Sequence, residues 1–157
     1  MLNLKDSDLT PSSHSTKLSK LYYVVLSGDY EDLYLISGQR PLRTIAKKSI
    51  STFRIFKGQK VGAKVTLRNK IMWSFVKRFI NVALLRERNF LGFNEKSITK
   101  NAFSCGFSDV TIFPEVDDAR SSINETRGIN ITMVFRSDSR QSTISLLSEM
   151  GIPIRKI

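Results

Sequence analysis

A single domain mixing strands with helices is the fold class this sequence predicts, and three stretches predict it. Residues 61–68 (VGAKVTLR) alternate strictly: Val61, Ala63, Val65 and Leu67 fall on one side, Gly62, Lys64, Thr66 and Arg68 on the other. Period two marks a strand with one buried face. Residues 70–84 carry Ile71, Phe75, Phe79 and Val82 at helical spacing, with Met72, Val76 and Ala83 widening the stripe. Residues 129–135 (INITMVF) alternate again. The chain has 157 residues and 41% hydrophobic ones, enough for one moderate core.

Taken in order, residues 1–20 are polar and read as a flexible N-terminal arm ahead of a domain over 21–157. The arm lacks a signal-peptide core and an Arg-rich transit pattern. The protein is thus expected to stay where it is made or to have lost a presequence. Its one histidine, His14, has no partner nearby and reads as solvated. Leu21–Leu26 (LYYVVL) is a strand ended by Ser27-Gly28-Asp29. Tyr30–Ile36 spaces Leu33 and Ile36 for a short helix with Gly38 as its stop. Pro41–Ile45 offers another strand. Residues 46–58 (AKKSISTFRIFKG) have no clean period and read as a loop or irregular hairpin. Their cations and aromatics suit phosphates and exposed bases. The other reading, that Phe53 and Phe56 anchor the loop to the core, stays open.

Asn69 is placed to cap the helix over 70–84. Lys70, Lys77 and Arg78 lie largely off its stripe, and Trp73 borders it and is read as core. Residues 86–103 look irregular. Cys105–Phe113 has strand character and Pro114 is expected to stop it. Glu115–Arg127 reads as an acidic loop. Ser137 or Asp138 is expected to cap a last helix over 140–150, with Ile144, Leu147 and Met150 inward and Gly151 ending it.

Charge is the feature that points to a partner. Between Arg40 and Arg88 stand fourteen Lys and Arg residues and one acid, Glu87, a net of +13 where the whole chain carries +11. The rest of the chain, with eleven basic and thirteen acidic residues, is −2. A clustered charge of this size favours a polyanion, nucleic acid before an anionic membrane surface. No apolar window is long enough to span a bilayer.

Catalytic constellations are missing. Neither a GxxxxGK[ST] phosphate loop nor a GxGxxG fingerprint occurs. Cys105, the single cysteine, excludes an internal disulfide and a thiolate metal cage, and reads as a small core hydrophobe. Glu115, Asp117 and Asp118 read as solvated carboxylates, not a cation site. No catalytic residue, metal or cofactor is expected.

The basic segment then becomes specific. LISGQRPLRTIAKKSISTFRIFKGQKVGAKVTLR (35–68) resembles the segment that identifies the large-subunit ribosomal protein five family. The resemblance continues through FVKRFINVALLRERNF (75–90), Gly106, IFPE (112–115), Asp117, Arg127-Gly128-Ile129 and GIPIRK (151–156), and covers 21–157. It implies an α+β fold, with an antiparallel sheet, helices packed on one face, and an open basic face and loops for RNA. It implies a structural constituent of the large subunit that holds 5S rRNA or large-subunit rRNA in the central protuberance. Gln39 and Thr66 match family positions that contact 5S rRNA, with Arg43, Lys64 and Arg68 grouped beside them. The loop bearing Lys47, Lys48, Ser49, Phe53 and Arg54 is implied to reach tRNA in the peptidyl site. Contact with the small-subunit head is implied without single residues.

Three departures stand out. Leu26 occupies the place of a family asparagine that binds 5S rRNA. Only Asp29–Ser37 stands where the family carries a long helix. Leu85 replaces the proline of the family's ALPR motif. With a composition rich in Phe, Ile, Ser and Lys, they imply a mitochondrial ribosome, ahead of a plastid or bacterial one. The rival readings are a free RNA-binding regulator or RNA chaperone using the same surface, and a nuclease or RNA-modifying enzyme. The last needs a paired carboxylate or His site that this chain does not supply.

Overall fold

Alternating sequences make strands with one apolar and one wet face, so a sheet built from them needs cover on one side only. The computed structural model describes residues 20–88, 90–119 and 127–155. In chain order it contains β1 (Lys20–Gly28), α1 (Tyr30–Ser37), β2 (Leu42–Ile45), β3 (Lys60–Leu67), α2 (Asn69–Arg78), a π turn (Phe79–Ala83) and α3 (Leu84–Arg86). There follow β4 (Phe93–Asn94), β5 (Ala102–Phe107), α4 (Pro114–Ala119), β6 (Ile129–Arg136), α5 (Arg140–Glu149) and β7 (Ile154–Arg155). Five strands form one antiparallel sheet in the order β2-β3-β1-β6-β5, and β4 pairs with β7 in parallel. The architecture is α+β.

One face of this sheet is sealed. Val24, Leu26, Val65, Leu67, Ile131, Met133, Phe103 and Phe107 pack in one cluster with Leu33 and Ile36 of α1, Met72, Phe75 and Val76 of α2, and Leu146 and Leu147 of α5. Phenylalanines extend the cluster: Phe79 meets Phe107 edge-on at 5.8 Å and Phe93 meets Phe103 at 5.0 Å. The stretch 86–103, irregular in sequence, is thereby tied to the core. Lys20, expected in the arm, is the first residue of β1; residues 1–19, and His14 with them, lie outside the described residues.

Local chemistry explains the element ends. Asp29 caps α1 by accepting the Glu31 N–H at 3.2 Å. Gly38 ends it at φ +66, donating its N–H to the Tyr34 carbonyl at 2.9 Å. Asn69 does not cap α2: Arg68 holds the cap position with extended backbone, and Asn69 takes φ +52, which asparagine tolerates. The helix expected over 70–84 is regular only to Arg78. The π turn then inserts an extra residue and rotates the inward face. Ile71 is 43% exposed in consequence, Val82 is half-buried, and Ala83 and Leu84 are buried.

Further corrections fall in the second half. The strand expected over 105–113 is β5, ending at Phe107, followed by a 3-10 turn over Val110–Ile112. Pro114 begins α4, because the first helical position needs no N–H and suits proline's φ. The expected acidic loop is therefore helical to Ala119, and 120–126 lie outside the described residues. Ser139, not Ser137 or Asp138, caps α5, its hydroxyl accepting the Ser142 N–H at 3.2 Å. Thr143 is buried on that helix, donating to the Lys100 carbonyl at 2.6 Å.

Candidate nucleic-acid interface

Residues opposite each other across antiparallel strands share a face. The register therefore lays out the uncovered side of the sheet in rows. One row runs Leu42, Lys64, Ser27, Asn130, Gly106 across all five strands. The next runs Thr66, Val25, Thr132, Ser104. These side chains are short and mostly hydroxyl or amide. The Ser104 and Thr132 hydroxyls lie 3.2 Å apart. Asn130 lies over Gly106, its Oδ1 only 2.7 Å from where a Cβ would stand. The result is a shallow polar surface that lets a sugar-phosphate backbone come close, with Lys64 supplying charge.

Leu26 faces the core and is fully buried, while Ser27 takes the open-face position between Lys64 and Asn130. A polar side chain thus stands on this face one residue from the family's asparagine position. Lys64 and Thr66 lie side by side on the open face of β3, as the alternation of 61–68 implies. Arg68 follows directly, its guanidinium 5.0 Å from the Tyr23 ring centroid and 5.9 Å from that of Tyr22. Arg43 is not with them. It is the strand partner of Ala63, on the helix side, and lies 4.3 Å over the Tyr30 ring. Gln39 sits in the turn before β2, its backbone N–H donating to the Ser37 hydroxyl at 3.1 Å.

The loop between β2 and β3 is a stitched hairpin. Ala46 exchanges backbone bonds with Gln59 and Gly58, both at 2.9 Å, and Ile50 bridges Ile55. The Ser49 hydroxyl accepts the Lys57 N–H at 3.0 Å and Gln59 Oε1 accepts that of Phe56 at 3.0 Å. Arg54 turns the tip in the left-handed region, at φ +52. Phe53 and Phe56 are 72% and 71% exposed, so neither anchors the loop to the core. With Lys47, Lys48, Arg54 and Lys57 also exposed, the hairpin presents cations and aromatic faces together. Ser49, grouped with the site in sequence, works on the loop's own backbone.

Not all of the basic segment is available to a polyanion. Arg78 pairs with Glu115 and donates to the Ile36 carbonyl at 2.9 Å, and Arg86 pairs with Asp117 at 2.6 Å. The carboxylates of α4, read as solvated, instead neutralise the far side of α2 and α3. Cys105 points to the core beside Phe103 and Phe107, and burial pushes its thiol up to about 12. The open-face residues Ser27, Ser104, Asn130 and Thr132 were not singled out from sequence. The alternation of β6 carries that signal; the flanking strands show it only once paired.

Residues 60–154 match a family model described as the C-terminus of the ribosomal uL5 family. The large ribosomal subunit protein uL5 of Lactobacillus acidophilus is 42% identical over 127 residues, covering 80% of this chain and 69% of that protein. That of Chlamydia felis is 43% identical over 126 residues, again 80% and 69%. That of Idiomarina loihiensis is 39% identical over 133 residues, 84% and 73%. A helix-backed antiparallel sheet with one open polar face, matched to this family along most of its length, places the chain in the uL5 family of large-subunit ribosomal proteins, which are structural and not enzymes.

Proposed function

We propose that this protein binds 5S rRNA or large-subunit rRNA in the central protuberance, using the open sheet face. The observation that carries the reading is the sidedness of the sheet. Among the described residues, the packing helices lie on one face, and the other presents Lys64, Thr66, Ser27 and Asn130 in register. Cations set the affinity and the short hydroxyl and amide groups supply direction. Gln39 and Arg68 flank this face. The β2–β3 hairpin, with Lys47, Lys48, Phe53 and Arg54 exposed and Ser49 holding its shape, reaches the peptidyl-site tRNA. Neighbouring ribosomal proteins, one from the small-subunit head among them, complete its partners. The ribosome is mitochondrial, a reading supported by the three family departures in the sequence.

The test is incorporation. Lys64→Ala with Arg68→Ala should reduce co-sedimentation of the protein with large subunits while leaving its fold intact, since both side chains are exposed. Normal sedimentation of that double variant removes the open face from the rRNA site. A protein found mainly at the top of the gradient would instead be a free RNA-binding factor. Recovery with cytosolic and not mitochondrial particles would overturn the organelle assignment.

A further inference from the structure

The register of β1 against β6 breaks once. Leu21 pairs with Phe135 and Tyr23 with Val134, so Tyr22 is an extra residue with no partner of its own in that ladder. A β-bulge of this kind resets the alternation and re-aims a side chain. Val24 and Leu26 face the core; unbroken alternation from them would send Tyr22 inward too. The bulge sends Leu21 in instead, at 2% exposure, and leaves Tyr22 60% exposed beside the part-buried Tyr23. The two rings meet edge to face at 5.2 Å, and Arg68 lies against both. Beyond them the strand pair ends in Lys20 opposite Arg136, two exposed cations.

We propose that Tyr22, Tyr23 and Arg68 form a stacking platform for one unpaired nucleobase of the bound RNA. The proposal rests on the open face being an RNA surface. The platform continues that face at the end of β3 beyond Thr66, and cations border it on either side. Folding leaves an aromatic ring largely exposed here, already ordered by its neighbour and by a guanidinium. A π-face of this kind accepts any base, and a cation beside it holds the adjoining phosphate. Paired bases, being stacked on each other within the helix, offer no free face to it. The platform therefore distinguishes RNA with an extruded or loop base from an uninterrupted duplex, which the polar rows of the sheet do not.

The experiment compares two RNAs of equal length, a perfect duplex and the same duplex with a single-nucleotide bulge, in direct binding assays with the full chain. The wild-type protein should prefer the bulged RNA. Tyr22→Leu should lose about tenfold on the bulged RNA, the lower part of the range for one stacked base, and little on the duplex. Tyr22→Phe should restore the preference. 2-Aminopurine at the bulge should be quenched by the wild type and by Tyr22→Phe but not by Tyr22→Leu. An unchanged preference in Tyr22→Leu, or an equal loss on both RNAs, overturns the platform while salt-dependent binding to either RNA leaves the wider interface standing. Absence of salt-dependent binding to both RNAs would remove the interface itself and the platform with it. In assembled subunits, photocrosslinks from position 22 should reach a nucleotide; crosslinks to protein alone overturn the proposal.

Discussion

Side chains that look alike in sequence have divided labour. Lys64 stands on the open face, whereas Arg78 bridges Glu115 and the Ile36 carbonyl. Lys64→Ala should therefore weaken RNA binding with unfolding stability within about 0.5 kcal/mol of wild type, as for exposed sites generally. Arg78→Ala should cost about 1–2 kcal/mol in denaturant unfolding, since it strands a part-buried carboxylate and a carbonyl. Phe53→Ala and Phe56→Ala belong with Lys64: rings this exposed should leave the melting temperature almost unchanged, and a large drop would mean they pack against something. At Cys105 the sign can be worked out. Its folded pKa is raised above the ordinary 9.0, so the folded state keeps the proton longer. The associated stability is full below pH 9 and declines as pH rises from there toward 12, because only the unfolded chain ionises. Thiol labelling at pH 8 should be far slower in the native protein than in denaturant, and equal rates would contradict the burial. Residue types were readable at all these places, but their partners were not. Arg78 and Glu115 are thirty-seven positions apart, and no local pattern joins them.

At the level of elements, the strongest periodicities translated directly. The strands at 61–68 and 129–135 and the short helix before Gly38 have the faces their spacing implies, because period two or 3.6 together with one buried side leaves a single orientation. The helix after Asn69 shows where that reasoning fails. Its stripe of Ile71, Phe75, Phe79 and Val82 assumes a constant 3.6 residues per turn, and the π turn at Phe79–Ala83 breaks the assumption. Ile71→Ala should then cost less than about 1 kcal/mol, whereas Met72→Ala, at a fully packed position, should cost about 2–4 kcal/mol. The reverse order in a pair of urea melts would restore the regular helix. The glycines of the sheet end separate in the same way. A Cβ at Gly106 meets only the movable end of Asn130, but at Gly128 it meets the Phe107 carbonyl at 3.0 Å. Gly128→Ala should be the more destabilising of the two in thermal melts.

Across the whole molecule, the charge is sorted by the fold. The carboxylates of α4 occupy Arg78 and Arg86 on the α2–α3 side, and the remaining exposed cations of the hairpin and β3 are left pointing away from them. RNA binding should respond to salt in proportion to the phosphates engaged. Four to six such contacts predict a log–log slope of roughly −3 to −5 between 50 and 300 mM monovalent salt. A slope near zero would mean that charge is not what holds the RNA.

The sequence by itself determined that this chain is one domain of strands and helices, that its charge is confined to residues 40–88, and that its motifs are those of one ribosomal family. Each of these is a property of neighbours along the chain or of composition, so no tertiary contact is needed to see it. Only the tertiary structure decided which cations face outward, that Ser27 and not Leu26 lies on the open face, that Arg43 is turned to the opposite side, and that two adjacent tyrosines share one surface. Those outcomes depend on cross-strand register, on a single bulged residue and on helix packing. They are set by which distant segments bury each other, and that is where local pattern stops carrying information.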